Sequence, residues 1–345
     1  MRYSLISRFR GAVVGAVIGE TLPIKNVKQE KELAFQTQAS LNVMKFASKS
    51  LIAQGKLDLE DCLRIKPVNH ILNPLNSNTS SNVNIDLNEQ PLLTTIFATL
   101  PVALFFHENS LKLKQNISDV VQAYSDDLAI RDITLAVGYA IAKSLTENLK
   151  PATLIPQIVD FLGNTPTDTP QQLFKIHHLL EQGASLEQVN IELSKVSKAE
   201  QPHKNSPHQY TASQLVAVAF YCFLVTLEDF RLSILLAHSN TDFTTIGTIT
   251  GALSGAYNST AGIPIAWQVR CSEQKSTTLH SNMGTQMVKL ADGLLAVWSG
   301  VYDIEQQTNG TNEIGNSTLS NQRLPLLETD SHWQVSASPR VIKCR

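Results

Sequence analysis

Charge is what this chain has least of. Its 345 residues carry 28 Lys and Arg against 30 Asp and Glu, 17% in all, where soluble proteins usually carry about 25%. Ser, Thr, Asn and Gln fill the deficit, so the surface is polar but offers no broad field to a nucleic-acid backbone or an anionic bilayer. Neither nucleic acid nor membrane is expected as a partner. Cysteine is also scarce. Cys62, Cys222, Cys271 and Cys344 lie far apart, with no CxxC pair and no His at a zinc-ligand spacing, which argues against a structural metal and for a reducing compartment. No stretch approaches the ~20 uninterrupted apolar residues of a spanning helix. Nucleophile-elbow, Walker-type and dinucleotide fingerprints are missing as well.

One segment imitates a targeting sequence. Arg2, Arg8 and Arg10 precede the small, apolar run Gly11 to Gly19, but the run is short and leads into Glu20-Thr-Leu-Pro23 rather than a cleavage site. The expectation is therefore a soluble, cytoplasmic protein.

Apolar residues recur at three and four, as in Leu41, Met44, Leu51 and in Leu128, Leu135, Ile141, Leu145. That is helical periodicity, and alternating runs of strand type are scarce. Helices are predicted over 92–106, 117–147, 171–195, 211–237, 245–257 and 283–301. Connections fall at Pro67 to Asn84, Gly163 to Pro170 and Ala199 to Tyr210, each punctuated by Pro, Asn or Ser. From Asp303 to Arg345 the composition turns to Asn, Thr, Gln, Ser and Gly, with one apolar island, Leu324-Pro-Leu-Leu327, and an isolated Trp333. So little apolar surface cannot offset ordering, and a disordered tail is expected. The island is a candidate partner-binding motif.

Two segments share a pattern of glycines. Gly11, Gly15 and Gly19 recur at spacing four, and so do Gly247, Gly251 and Gly255, which puts three positions without side chains on one face of each helix and prepares both for close approach. The second set comes after the acidic, hydroxyl-rich turn Thr241-Asp-Phe-Thr-Thr245. Such a turn usually caps its helix, and it can also hold a cation.

Together these segments resemble the ADP-ribosylglycohydrolase family, which includes the bacterial dinitrogenase-reductase-activating glycohydrolases. The family's first helix reads RxxGxxxGxxxGDxxG, and the run from Arg10 to Glu20 is similar, with Glu20 in place of Asp. The late motif GGDTDTxxxxxGALxGA is similar to Asn240 through Ala256. Gly262-Ile-Pro-Ile-Ala-Trp267 and Leu290-Ala-Asp-Gly-Leu294 resemble the family's connection and last helix beyond that motif, and Thr211 to Asn240 has the layout that precedes it. The resemblance spans Ser7 to Trp298. It implies one all-α domain, a multi-helix orthogonal bundle over residues 1–302, with 303–345 added as a tail.

For activity, the resemblance implies hydrolysis of a bond to ADP-ribose at a two-magnesium site, which needs many oxygen ligands. This sequence departs from the pattern at those ligands. The family's early Thr-Asp-Asp-Thr, at the start of a helix, should fall within Phe35 to Leu41, yet no Asp or Glu occurs between Glu32 and Asp58. In the late motif Asp242 keeps the first Asp and Thr245 the final Thr, while Thr244 replaces the second Asp, Phe243 replaces Thr, and Asn240-Thr241 replace the paired glycines. The acid after the first helix would fall near Val27, with Glu30 the nearest substitute. His238 and Arg231 are the only cations near the late motif. Ser125-Asp126-Asp127 read as first-turn acids of another helix, and the adjacent His177 and His178 point about 100° apart on a solvated face.

The expected protein is thus a family member whose vestigial cleft comprises Glu20, Asn240, Thr241, Asp242, Phe243, Thr244 and Thr245, without a catalytic residue or a bound metal. It is expected to act as a protein-interaction or regulatory module with an unidentified protein partner, and not to take ADP-ribose. The alternatives are a silent binder of ADP-ribose or another nucleotide, and an active hydrolase using Asp242 with Glu20, Glu30 or Asp126.

Overall fold

The computed structural model describes residues 3–22, 27–58, 89–197, 210–239, 244–272 and 283–301. Among them are thirteen α-helices, one short 3-10 turn at Thr260–Gly262, and no strand. The helices are α1 (Leu5–Thr21), α2 (Val27–Gln54), α3 (Glu89–Phe105), α4 (Ser110–Tyr124), α5 (Leu128–Leu145), α6 (Pro151–Leu162) and α7 (Thr169–Glu181). They continue as α8 (Leu186–Ser197), α9 (Ala212–Val225), α10 (Phe230–Ser239), α11 (Thr244–Asn258), α12 (Ile265–Ser272) and α13 (Met283–Trp298). The all-α expectation holds. The tail, and most of the connections expected at 67–84 and 199–210, lie outside the described residues.

Three predicted helices are each two. The stretch 117–147 is interrupted because Asp127 turns to cap α5, its carboxylate accepting from the Ala129 amide at 2.8 Å. Asp126 and Asp127 therefore precede the first turn rather than occupy it. The stretch 171–195 breaks at Gly183, whose φ of 66° ends α7 in a left-handed residue. The stretch 211–237 breaks at the turn that precedes Phe230, where Asp229 accepts from the Leu232 amide at 2.9 Å. Two further helices, α6 and α12, lie where no helix was expected. Pro151 starts α6, its fixed φ suiting the first turn, and Gly163 at φ 76° stops it.

At the centre lie α1 and α11. From Gly11 to Glu20 every residue of α1 is buried, and so is every residue of α11 from Thr245 to Ala256. Helices buried all round need apolar residues on all faces, and both have them. Around this pair α5, α9 and α10 pack on α11, while α13 packs on α1, α2 on α3, and α3 on α5. The main core that results has Phe9, Phe97, Phe220 and Phe223 among its fully buried side chains, and a smaller cluster forms from Val14, Ile18, Phe230, Ile234 and Ile263.

The glycines make the central pair possible. A Cβ placed on Gly15 would fall on the carbonyl oxygen of Gly251, and one on Gly251 would lie 2.7 Å from the carbonyl carbon of Gly15. The same holds for Gly11 with Gly255 and for Gly19 with Gly247. The pairing runs antiparallel, 11 to 255 and 19 to 247, and backbone meets backbone at each rung. Real Cβ atoms do not come that close, so these six positions require glycine.

Candidate functional site: the end of the glycine seam

The last rung of the seam brings the end of α1 to the start of α11. Gly19 lies against Gly247 so closely that a Cβ on it would be 2.9 Å from the Thr248 amide nitrogen. Glu20 is next in the chain and is wholly buried in the last turn of α1. Across the rung, Thr245 is wholly buried and Thr244 half-buried. The Thr248 hydroxyl donates to the Thr244 carbonyl at 2.9 Å, and the Thr21 hydroxyl to the Val17 carbonyl at 2.8 Å. These hydroxyls are thus turned back onto their own helices.

Of the residues singled out in the sequence, Glu20, Thr244 and Thr245 are brought to one end of the α1/α11 pair. Asn240, Thr241, Asp242 and Phe243 lie outside the described residues. Phe35 to Leu41, where the early acidic motif was expected to open a helix, instead continues α2, which starts at Val27. Ser40 and Leu41 within it are buried. Asp126 and Asp127 are exposed at the start of α5.

His238, read from the sequence only as a possible cation, has a structural position. Its imidazole lies against Gly247, where a Cβ would come within 2.5 Å of Nε2, and both ring nitrogens are out of reach of solvent. No sequence signal could have placed it, because the contact is with a residue that has no side chain.

The arginines of α1 are committed to the fold. Arg10 grips Asp292 of α13 with two bonds of 2.6 and 2.8 Å, and this pairing holds the guanidinium above its ordinary pKa. Arg8 is buried, donating to the Ser144 carbonyl at 2.6 Å and to Glu147 at 2.5 Å at the end of α5. Neither is available to a diphosphate. The described cysteines are no better placed as nucleophiles, since burial pushes Cys222 up to about 12 and Cys271 up to about 11. His177 and His178 both reach Glu181, at 3.6 and 3.8 Å, far from the seam on α7. His178 also borders an open groove of about 380 Å³ between α7 and α8, with Lys175 and Glu192.

A pair of magnesium ions needs about twelve oxygens, several of them carboxylate. Among the described residues no three His, Cys, Asp or Glu side chains come together as a metal would require. At the seam the described side chains with a ligand atom are Glu20, His238 and the hydroxyls of Thr21, Thr244, Thr245 and Thr248, with one carboxylate among them, a set that does not fit two magnesium ions.

A family model described as ADP-ribosylglycohydrolase matches residues 74–303 of this chain. That range starts after α2, so it does not include the first glycine run, and the seam is what joins α1 to the matched region. A solved structure described as an ADP-ribosylglycohydrolase-related protein complex has the same fold, with a TM-score of 0.53 and 15% identity over 84% of this chain and 97% of that one. No curated protein matches the sequence.

Proposed function

This chain belongs to the ADP-ribosylglycohydrolase family, and from that premise we propose that it has kept the family's bundle over residues 1–302 and given up its hydrolytic chemistry. It serves instead as a protein-interaction or regulatory module. The observation that carries this reading is the loss of carboxylates: of the acidic positions in the family's pattern only Asp242 is kept, with Glu20 as a conservative replacement, and no acid occurs between Glu32 and Asp58. A two-cation centre would have to neutralise four positive charges with that remainder. The described residues add no cluster that compensates.

The same reading assigns no tight binding of ADP-ribose. Metal ions and close backbone at the paired glycines would hold the ligand in the family; here Asn240 and Thr241 stand in the glycine positions, and Arg8 and Arg10 are engaged with α5 and α13. An uncompensated diphosphate is poorly stabilised under those conditions.

The test is direct. Purified protein in millimolar Mg²⁺ or Mn²⁺ is assayed for ADP-ribosyl hydrolysis beside Asp242→Ala, and no difference is expected. Metal-dependent turnover abolished by Asp242→Ala would return the protein to the active hydrolases. Calorimetric titration with ADP-ribose separates the remaining readings: a Kd below about 10 µM, roughly −7 kcal/mol, would make it a nucleotide binder.

A further inference from the structure

His107 lies where three helix ends meet. It comes two residues after α3, its Nδ1 is 2.7 Å from the Leu104 carbonyl, and it is 6% exposed. The ring of Phe9, near the start of α1, meets it edge-on with centroids 5.6 Å apart. Trp298, the last residue of α13, lies against it at 4.8 Å and a tilt of 42°. We infer that His107 is an acid-sensitive pin, which holds the end of α13 to α1 and α3 while neutral and releases it when the imidazole takes up a proton.

The geometry supplies two opposed effects. A charged imidazole between two aromatic rings has lost most of its water, while a cation over an indole face gains attraction. Desolvation is the larger: burial pushes the His107 pKa below its ordinary value, against smaller opposing contributions from the Leu104 carbonyl and Glu108. Other charges on the packed elements do not offset it. On α1, Arg8 and Arg10 are held by Glu147 and Asp292, and Glu20 is eleven residues, about 16 Å of helix, beyond Phe9. On α13, Asp292 is the partner of Arg10, and Lys289 is nine residues, about 13 Å, before Trp298.

Because the folded value is depressed, the unfolded chain binds the proton more readily. The contribution of His107 to stability is therefore full above about pH 6.5 and is lost as pH falls through the folded value.

Full-length protein is titrated between pH 7.5 and 5.0. Imidazole NMR should show His107 titrating below 6.5, and Trp298 emission should change over the same range, with no such change in Trp298→Phe. The melting temperature of wild type should fall over that range by about 2 °C or more beyond the fall in His107→Gln. Titration of His107 at or above 6.5 would overturn the inference, since attraction to the indole would then outweigh burial. So would an emission change that persists in Trp298→Phe. If His107→Gln does not fold, the wild-type titration decides alone.

Discussion

An alanine methyl at Gly15 would fall on the backbone carbonyl of Gly251, and one at Gly251 would lie 2.7 Å from the Gly15 carbonyl carbon. In an exposed helix Gly→Ala stabilises by about 1 kcal/mol. Here backbone would have to move, and overpacking costs about 1–3 kcal/mol. Gly15→Ala and Gly251→Ala should therefore both lower stability in denaturant titrations; two variants more stable than wild type would contradict the seam. Ser259 poses the converse case. Its φ of 60° and ψ of −177° belong to a region that is essentially glycine's own, and its hydroxyl accepts from the Ala261 amide at 3.1 Å. Alanine would keep the backbone strain and lose the bond. Ser259→Gly should accordingly be more stable than Ser259→Ala by about 1 kcal/mol or more, the reverse of the order in a helix, and equal midpoints would show that the strain is not there.

At the scale of elements, the connection from α6 to α7 is fastened by one carboxylate. Asp132 of α5 is 1% exposed and accepts from the hydroxyls of Thr165 and Thr167, the latter at 2.7 Å, while Arg131 donates to its other oxygen at 3.0 and 3.1 Å. Bonds to a charged group contribute about 1.5–3 kcal/mol. Asp132→Ala should cost about 2–3 kcal/mol and open residues 163–168 to proteases. Arg131 is partly exposed, so Arg131→Ala should cost under about 1 kcal/mol. Comparable losses from both would mean that the ion pair, not the threonine clasp, holds the connection. This clasp also shows where sequence and structure part. The glycine runs were legible because spacing four fixes a helix face whatever lies opposite. The break at Asp127 was hidden because apolar residues continue at helical spacing on both sides, and only the cap geometry tells a continuing helix from two. His238 and Asp132 could not be placed at all, since each acts on a residue reached only through the tertiary fold. For the cleft, the loss of acids could be read without alignment, whereas the burial of Glu20 and Thr245 required the packing of α1 on α11.

For the molecule as a whole, the core closes through helices that end at Trp298, and Val301 is exposed. Deleting residues 303–345 should leave the melting temperature within about 5 °C of wild type, equivalent to roughly 2 kcal/mol for a domain of this size. A larger fall would show that the segment is part of the packed domain. The seam, finally, governs when this chain can finish folding as it is made. Gly19 emerges from the ribosome 228 residues before Gly247, so at about 5–20 residues per second α1 waits roughly 10–50 s for the helix its backbone meets. Until then the apolar side chains of α1 that the finished domain buries lack the helix that covers them.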